Sequence, residues 1–266
     1  MKIIVCVKQV PDTSGKVAVN PDGTLDRASM QTITNPDDLN AVEAALALKD
    51  ETGCKVVVVT MGPPPAEGML REILARGADE AVLVSGREFG GSDTYATSQI
   101  LAAAINKIGV EDDDIVLCGR QAIDGDTAQV GPQIAEKLGL PQVSYAAEIT
   151  KEGDTITVKR MLEDGYMTIK VKTPCLITCI KELNAPRYMS VGGIYECYEK
   201  PYEIFDYNTL KDDPLIDPST IGLKGSPTNI FKSFTPPQKG VGMMLEGADK
   251  ATCEKLAGIL AAKHMI

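Results

Sequence analysis

The chain has 266 residues, of which 44% are hydrophobic, and its formal net charge is −10. A chain of this length can bury a large core, and the acidic balance argues against nucleic acid or an anionic membrane as a partner. No apolar run reaches transmembrane length, and the N-terminal MKIIVCVKQV has neither a long apolar segment nor a small-residue cleavage site. We therefore expect a cytoplasmic protein whose first residues form a strand.

From Met1 to about Leu140, short β-branched runs alternate with stretches of helical periodicity. This alternation predicts a doubly wound, mostly parallel sheet with helices on both faces. Ligands in this α/β architecture bind at the carboxyl ends of the strands, so we expect one pocket there. The predicted strands are Lys2–Val7, Lys55–Thr60, Ala81–Ser85 and Ile115–Cys118, and the predicted helices are Pro36–Asp50, Ala66–Arg76, Asp93–Ile108 and Thr127–Leu138.

After Pro141 the pattern becomes that of antiparallel hairpins. The predicted strands are Val143–Ile149, Thr155–Arg160, Met167–Val171 and, buried on both faces, Cys175–Ile180. The segment Lys200–Gln238 is rich in proline, glycine and acids and has little periodicity, which is typical of an extended arm. An amphipathic helix is predicted over Asp249–Lys263. We therefore divide the chain into an α/β domain, residues 1–194, and an arm with a C-terminal helix, residues 195–266.

The segment VLCGRQAIDGDTAQVGPQIAEKL (Val116–Leu138) runs from a buried strand through a polar loop into a helix. Asp126 and Gln129 have the spacing of a capping box, which predicts a helix start near Thr127. Free backbone N–H groups and the positive helix end would then bind an anion such as phosphate. A strand–helix turn with good caps explains the same pattern without a ligand.

The glycines of this loop do not match the common nucleotide-binding fingerprints. Neither G-x-G-x-x-G nor the Walker pattern occurs in the chain. Gly119 and Gly125 permit tight turns, and the missing side chain of Gly125 leaves room beside a phosphate. Pro132 would fall in the second turn of the predicted helix and remove a hydrogen bond, so the helix would become regular only after Gly131.

Two other helix starts carry polar side chains. Asn35 is a suitable N-cap with Pro36 at the first helical position. In GSDTYATS (Gly91–Ser98), Ser92 could cap the following helix. The alternative is that the polar residues of this motif face the predicted pocket: Ser92, Asp93, Thr94 and Thr97.

The sequence offers no catalytic or metal-binding set of its own. The single histidine, His264, lies two residues from the C-terminus, so no Ser-His-Asp set can be assembled. The seven cysteines are an odd number and mostly lie in apolar runs without metal-ligand spacing, so we expect them to be reduced and structural. A bound cofactor must therefore supply any chemistry.

Several motifs of this chain occur together in one known family. They are VCVKQVPDT (Val5–Thr13), NPDDLNAVEAAL (Asn35–Leu46), VTMGPP (Val59–Pro64), GSDTYATS, EDGYMTIKVKTPCLIT (Glu163–Thr178), LNAPRY (Leu183–Tyr188) and FTPPQ (Phe234–Gln238). In order and spacing the chain resembles the β subunit of electron transfer flavoproteins over nearly its whole length. The resemblance implies a heterodimer with an α subunit that carries its own FAD and is wrapped by the arm.

The resemblance also implies residues for a nucleotide site. The loop that wraps a pyrophosphate or monophosphate, largely through backbone N–H groups, corresponds to Gly119, Arg120, Gln121, Ala122, Ile123, Asp124, Gly125, Asp126, Thr127, Ala128, Gln129 and Val130. The walls around an adenosine moiety correspond to Cys6, Asn35, Asp38 and Met61. On residue type alone, Cys6 and Met61 are typical of plain core residues, and only the resemblance favours a place in this site.

The segments GSDT and GSPT (Gly225–Thr228) resemble the branch of the family that performs electron bifurcation. In that branch the β subunit holds FAD where ordinary members hold only AMP. The resemblance implies that Ser92, Asp93, Thr94, Thr97, Ser226 and Thr228 contact the ribityl chain or the polar edge of the flavin. It further implies that NADH reduces this FAD and that electrons pass to ferredoxin or flavodoxin and to an acyl-CoA-type dehydrogenase. The chain would act as an oxidoreductase only within such a complex.

The loop LNAPRYMSVGG (Leu183–Gly193) corresponds to the family's recognition loop, which docks on the partner dehydrogenase. The implied contact residues are Pro186, Arg187, Tyr188, Met189 and Val191, with Val191 at the apolar anchor, where the family has the larger leucine. The alternative is a loop folded back on its own core. Two other functions stay open at this point: a conventional carrier with structural AMP, and a nucleotide-sensing domain with no redox role.

Overall fold

The computed structural model describes residues 1–12, 31–228, 231 and 240–266. Thr13 of the first motif and the whole FTPPQ motif, Phe234–Gln238, lie outside the described residues. Within them, the strands are β1 Lys2–Cys6, β2 Gln9–Pro11, β3 Thr32–Thr34, β4 Lys55–Met61, β5 Glu80–Val84, β6 Ile115–Gly119, β7 Gln142–Glu152, β8 Thr155–Met161, β9 Tyr166–Lys172, β10 Cys175–Cys179 and β11 Tyr202–Phe205. The helices are α1 Pro36–Thr52, α2 Glu67–Arg76, α3 Thr94–Ile108, α4 Val130–Leu138, α5 Val191–Glu196, α6 Tyr207–Leu210, α7 Gly222–Gly225 and α8 Lys250–Ala262.

Nine of these strands form one sheet in the order β11-β5-β4-β1-β6-β10-β7-β8-β9. The strands from β11 to β7 are parallel, whereas β7, β8 and β9 pair antiparallel. The predicted mostly parallel sheet with added hairpins is therefore confirmed. Strand β1 has β4 on one side and β6 on the other. The chain therefore adds β4 and β5 on one side of β1 and then returns to add β6 on the other side. Such a switch point opens a crevice at the carboxyl ends of β1 and β6.

Two apolar cores lie on opposite faces of the sheet. Helices α1 and α2 cover one face, and helices α3 and α4 cover the other. In β1 the side chains alternate between the two cores: Ile3 and Val5 point into the first, and Ile4 and Cys6 into the second. Because the central strands are covered on both faces, their sequences are continuously apolar rather than alternating.

The expected boundary at residue 194 is wrong, because the next part of the chain belongs to the α/β body. Strand β11 pairs with β5 at the edge of the main sheet, with Tyr202 opposite Ala81 and Phe205 opposite Val84. Residues beyond it also enter the second core: Leu210, Ile216 and Ile221 are buried there. These short elements showed little periodicity because each buries only one or two side chains and is held mainly by backbone pairing.

The C-terminal segment has a different character. Helix α8 begins after Asp249, whose carboxylate accepts a hydrogen bond from Thr252 N at 2.8 Å. No residue of α8 is buried, and Val241, Met243 and Met244 before it are also exposed. This part of the arm therefore presents apolar side chains that the described body does not cover. No helix among the described residues is long and apolar enough to cross a membrane.

Candidate functional site

Residues 120–129, the main part of the predicted phosphate-binding loop and called the phosphate loop below, leave the carboxyl end of β6 at the switch point. Its first residue is fixed to the neighbouring strand, since Arg120 N donates to Cys179 O at 2.8 Å. Its middle closes a turn in which Asp126 N donates to Ala122 O at 2.9 Å. The loop then enters α4 at Val130.

The predicted capping box at Asp126 and Gln129 is wrong. Asp126 and Ala128 both have left-handed backbone conformations, with φ of 54° and 52°, so the helix cannot begin near Thr127. Gln129 occupies the N-cap position but makes no side-chain cap. Left-handed non-glycine residues cost about 1–3 kcal/mol each and concentrate at functional sites, which favours a loop shaped for a ligand over a simple turn.

The later helix start also removes the expected defect at Pro132. Pro132 is the third residue of α4, where a helix has no intrahelical partner for the backbone N–H, so the ring costs no hydrogen bond. Gly119 and Gly125 are not in left-handed conformations, so neither is required for a tight turn. Gly119 instead permits a close approach: a Cβ there would meet Asp38 Oδ1 and lie 2.6 Å from Asp38 N.

The loop has unused hydrogen-bond donors that suit an anion. The backbone N–H groups of Asp124, Gly125, Thr127 and Ala128 make no hydrogen bond within the part of the chain that the structure describes. Asp124, Gly125 and Thr127 are exposed, and the N-terminus of α4 adds its partial positive charge. A Cβ built on Gly125 would have no neighbour within 4 Å. The donor set and the open space therefore fit a phosphate group.

The start of α1 supports the loop through the side chains of Asn35 and Asp38, which together we call the brace. Asn35 occupies the predicted N-cap position, but its side chain does not cap its own helix. Its Oδ1 accepts from Ile123 N at 3.0 Å and its Nδ2 donates to Gln121 O at 2.8 Å. The side chain of Asp38 accepts from Gly119 N at 3.0 Å and from Lys8 N at 2.8 Å. Both side chains are thus occupied inside the protein and shape the loop.

Two buried acids, Asp37 and Asp38, lie side by side at the start of α1. Burial raises the pKa of Asp38 to about 7, against hydrogen bonds from Asn35 and from the Lys8 and Gly119 amides. Burial also raises the pKa of Asp37, and its ion pair with Arg120, at 3.2 Å, opposes that rise.

Lys8 was not among the predicted site residues, although it lies two residues beyond the end of β1 at the switch point, a position that could have identified it. Its Nζ donates to both oxygens of Asp124, at 2.7 and 2.8 Å. Among the described residues this ion pair joins the end of β1 to the middle of the phosphate loop.

The two predicted flavin motifs meet beside this loop. Asp93 caps α3 by accepting from Ala96 N at 3.0 Å, and its other oxygen accepts from Thr228 N at 2.8 Å. Asp93 N in turn donates to Ser226 Oγ at 2.8 Å. Thr94 Oγ1 donates to Gln129 Oε1 at 3.1 Å, which connects α3 to the phosphate loop.

The charge of Asp93 fits this arrangement. Partial burial would raise the pKa of Asp93, but hydrogen bonds from the backbone of Ala96 and Thr228 outweigh it and lower the pKa overall.

The expected cap at Ser92 is wrong, because Asp93 has the capping role. Ser92 Oγ instead donates to Phe89 O at 2.8 Å and accepts from Gly222 N at 3.1 Å, which holds α7 against the motif.

The remaining predicted residues lie along the same edge of the sheet. Cys6 ends β1 beside Cys118 of β6, and both are buried. Their mutual hydrogen bond and burial raise the pKa of the Cys118 thiol, so it stays protonated. All seven cysteines are free. Met61 ends β4 and Thr97 lies in the first turn of α3, each half-buried. No group of acids, histidines and cysteines in the described part of the chain could hold a metal ion.

A second surface is formed by residues 183–199, which contain the predicted recognition loop Leu183–Gly193 and are called the recognition segment below. Arg187 points back onto the body, where its guanidinium binds Glu43 at 2.9 Å and Asp50 at 2.8 Å. In contrast, the side chains of Tyr188 and Val191 are 92% and 87% exposed. The segment is therefore anchored but does not bury these side chains on its own core. Pro186 is half-buried and Met189 is exposed.

The second half of this segment forms the short helix α5 instead of the expected loop. Ser190 caps it by accepting from Gly193 N at 2.8 Å. A side chain at Gly193 would collide with Ala75 O, so glycine permits α5 to lie against α2. Val191, Ile194, Tyr195 and Tyr198 line an open groove on the outer side of the helix.

The comparisons with known proteins agree with this architecture. The family described as "Electron transfer flavoprotein domain" matches residues 22–199. The acryloyl-CoA reductase electron transfer subunit gamma of Anaerotignum propionicum is 70% identical, with 100% of both chains covered. The caffeyl-CoA reductase-Etf complex subunit CarD of Acetobacterium woodii is 54% identical over 99% of this chain and 97% of its own. The electron transfer flavoprotein subunit beta of Clostridium acetobutylicum is 50% identical over 100% of both chains. This chain therefore belongs to the electron transfer flavoprotein family, as a β subunit.

Proposed function

We propose that this chain binds FAD at the phosphate loop and, with an α subunit that carries a second FAD, performs electron bifurcation. NADH is the electron donor, and the acceptors are ferredoxin or flavodoxin and an acyl-CoA-type dehydrogenase. The observation that carries the proposal is the meeting of the phosphate loop with Asp93, Ser226 and Thr228. Relatives named as electron transfer subunits of acryloyl-CoA and caffeyl-CoA reductases support an acyl-CoA-type partner.

The phosphate loop would hold the pyrophosphate. Its free N–H groups at Asp124, Gly125, Thr127 and Ala128 supply donors without adding a charged side chain. The space beside Gly125 accommodates a second phosphate, which FAD has and AMP lacks. The walls for the adenosine part would be Cys6, Met61 and the start of α1.

The cluster of Asp93, Ser226 and Thr228 would face the flavin end of the ligand. The hydroxyl groups of Thr94 and Thr97 lie one turn apart at the start of α3, within reach of a polar chain or ring edge. A bound flavin accepts a hydride as an electron pair and releases its electrons singly, which is the chemistry that bifurcation needs. The lowered pKa of Asp93 keeps a negative charge in this cluster, where it would influence the reduction potential.

Two other surfaces would bind proteins. The exposed side chains of Tyr188 and Val191 suit docking on the dehydrogenase, because apolar and aromatic anchors dominate such interfaces. The uncovered apolar side chains of residues 240–266 suit packing on the α subunit. Both assignments rest on exposure together with the family resemblance.

The first test is the nucleotide content of the purified heterodimer. The protein is denatured, and the released FAD and AMP are separated by chromatography and counted per heterodimer. The proposal expects two FAD and no AMP. One FAD with one AMP would instead establish a conventional carrier with structural AMP.

The second test substitutes Gly125. Gly125→Asp places a carboxylate against the phosphates and should lower FAD occupancy at this site while the α-subunit FAD stays bound. Gly125→Asn has the same size without the charge and is the matched control. NADH-dependent ferredoxin reduction should fall with the lost FAD. Equal FAD content and activity in both variants and the wild type would mean that the loop does not bind the phosphates.

A further inference from the structure

Lys8 is tied to the phosphate loop and its brace by both its backbone and its side chain. Its N–H donates to Asp38 Oδ2 at 2.8 Å, and its carbonyl accepts from Asn35 N at 2.9 Å. These bonds fix the residue just beyond the end of β1. Its side chain then reaches across the crevice, where Nζ lies 2.7 Å and 2.8 Å from the two oxygens of Asp124.

Asp124 needs such a partner because of its position. It lies in a loop whose free N–H groups suit an anion, and its carboxylate is itself an anion. Aspartate side chains readily bond to nearby backbone N–H groups further along the chain, and here the N–H of Thr127, three residues on, makes no hydrogen bond within the described residues. An unrestrained Asp124 carboxylate would therefore compete with a phosphate for the loop donors and would also repel it.

We propose that Lys8 is a positioning residue that holds the Asp124 carboxylate away from the loop donors and so sets the affinity of the loop for a phosphate-bearing nucleotide. This inference rests on the proposed nucleotide site, but it does not depend on whether the ligand is FAD or AMP. Lys8 acts through Asp124 and need not contact the ligand.

A direct contact between Lys8 and the phosphate would have different consequences. If Lys8 acts through Asp124, the effect of losing Lys8 should depend on whether residue 124 carries a charge. If Lys8 contacts the phosphate itself, the loss should be the same with aspartate or asparagine at position 124. A double-mutant cycle separates these two cases.

The experiment measures binding of AMP and of FAD, in separate titrations, to the heterodimer stripped of its exchangeable nucleotide. Lys8→Met should weaken binding about tenfold, which corresponds to about 1.4 kcal/mol. In the Asp124→Asn background, the same Lys8→Met change should weaken binding less than about twofold. Lys8→Arg, which keeps the charge, should bind within about threefold of the wild type.

Lys55→Met is the matched control. Lys55 is as exposed as Lys8, at 48% against 47%, and it also forms an ion pair, with Glu80. It begins β4 and so lies at the amino ends of the parallel strands, whereas the phosphate loop lies at their carboxyl ends. Its substitution should leave nucleotide binding unchanged, and circular dichroism should show that all variants are folded.

The outcomes separate this inference from the proposed function. An equal loss from Lys8→Met in both backgrounds would overturn the positioning role in favour of direct phosphate contact. No loss in either background would overturn it as well. A wild-type heterodimer that binds neither AMP nor FAD at this site would overturn the nucleotide site itself, and with it the role of Lys8.

Discussion

Gly119 is a position where even the smallest side chain should have a large effect. A Cβ at residue 119 would meet Asp38 Oδ1 and would lie 2.6 Å from Asp38 N and 2.7 Å from the carbonyl carbon of Asp37. Real Cβ atoms essentially never lie that close to backbone atoms. Gly119→Ala must therefore push β6 away from the start of α1 or displace the Asp38 side chain.

The cost of Gly119→Ala can be worked out from these contacts. Overpacking of a well-packed interior costs about 1–3 kcal/mol. Displacing Asp38 also breaks its hydrogen bond to Gly119 N, which leaves a buried donor and acceptor unsatisfied and costs about 1–3 kcal/mol more. The free energy of unfolding should thus fall by about 2–6 kcal/mol. For a chain of this size, at about 2–4 °C per kcal/mol, that lowers Tm by roughly 4–24 °C.

The assay is thermal unfolding followed by far-ultraviolet circular dichroism, with the partner subunit present. Gly125→Ala is the control, because its added Cβ has no neighbour within 4 Å and its backbone is not left-handed. Gly125→Ala should change Tm by less than about 2 °C, with a slight gain from the stiffer unfolded chain. If the two alanine variants melted at the same temperature, the proposed close approach of β6 and α1 would be refuted.

Three further results are expected. Val191→Asp should slow reduction of the partner dehydrogenase about tenfold or more without loss of flavin, because an unpaired carboxylate would be buried in the interface. The control is Tyr166→Asp at another exposed position, and equal effects of the two variants would argue against specific docking. Because the pKa of Asp38 is raised to about 7, its contribution to stability is full below the unfolded pKa near 4 and is lost as pH rises through about 7. Between about pH 5 and about pH 8, the melting temperature of the wild type should therefore fall more than that of Asp38→Asn. Parallel plots of Tm against pH for the two proteins would contradict this. Deleting residues 240–266 should leave the body folded but abolish heterodimer formation in size-exclusion chromatography, and a stable truncated heterodimer would disprove the assigned role of the arm.

The parallel sheet could be predicted because its signal is local and repeated. Each central strand is a short apolar run, and each helix between them has one apolar face. Strand β11 could not be predicted in the same way. Of its four residues only Phe205 is buried, and its place at the sheet edge comes from backbone pairing with β5. Pairing between distant backbone segments leaves almost no pattern in the sequence.

The predicted site residues lie together at the strand ends, but the bonding among them was not predictable. Asn35 is at the expected N-cap position, yet its amide bonds to Gln121 and Ile123, far away in the chain. Asp126 and Gln129 have capping-box spacing, but a left-handed Asp126 prevents that cap. Propensities describe a residue's local options, and here contacts between distant segments decide among them. Whether the site holds FAD or AMP stays a prediction.

The meeting of Ser226 and Thr228 with Asp93 joins segments separated by more than 130 residues. A chain growing on the ribosome can pair its central strands early, since domains begin to fold from the N-terminus during synthesis. The cluster of Asp93, Ser226 and Thr228, however, cannot form until residue 228 has emerged. If one ligand binds both the phosphate loop and this cluster, as proposed, it can contact both only after nearly complete translation. A chain terminated before residue 226 would keep the phosphate loop but lack the Ser226 and Thr228 bonds to Asp93.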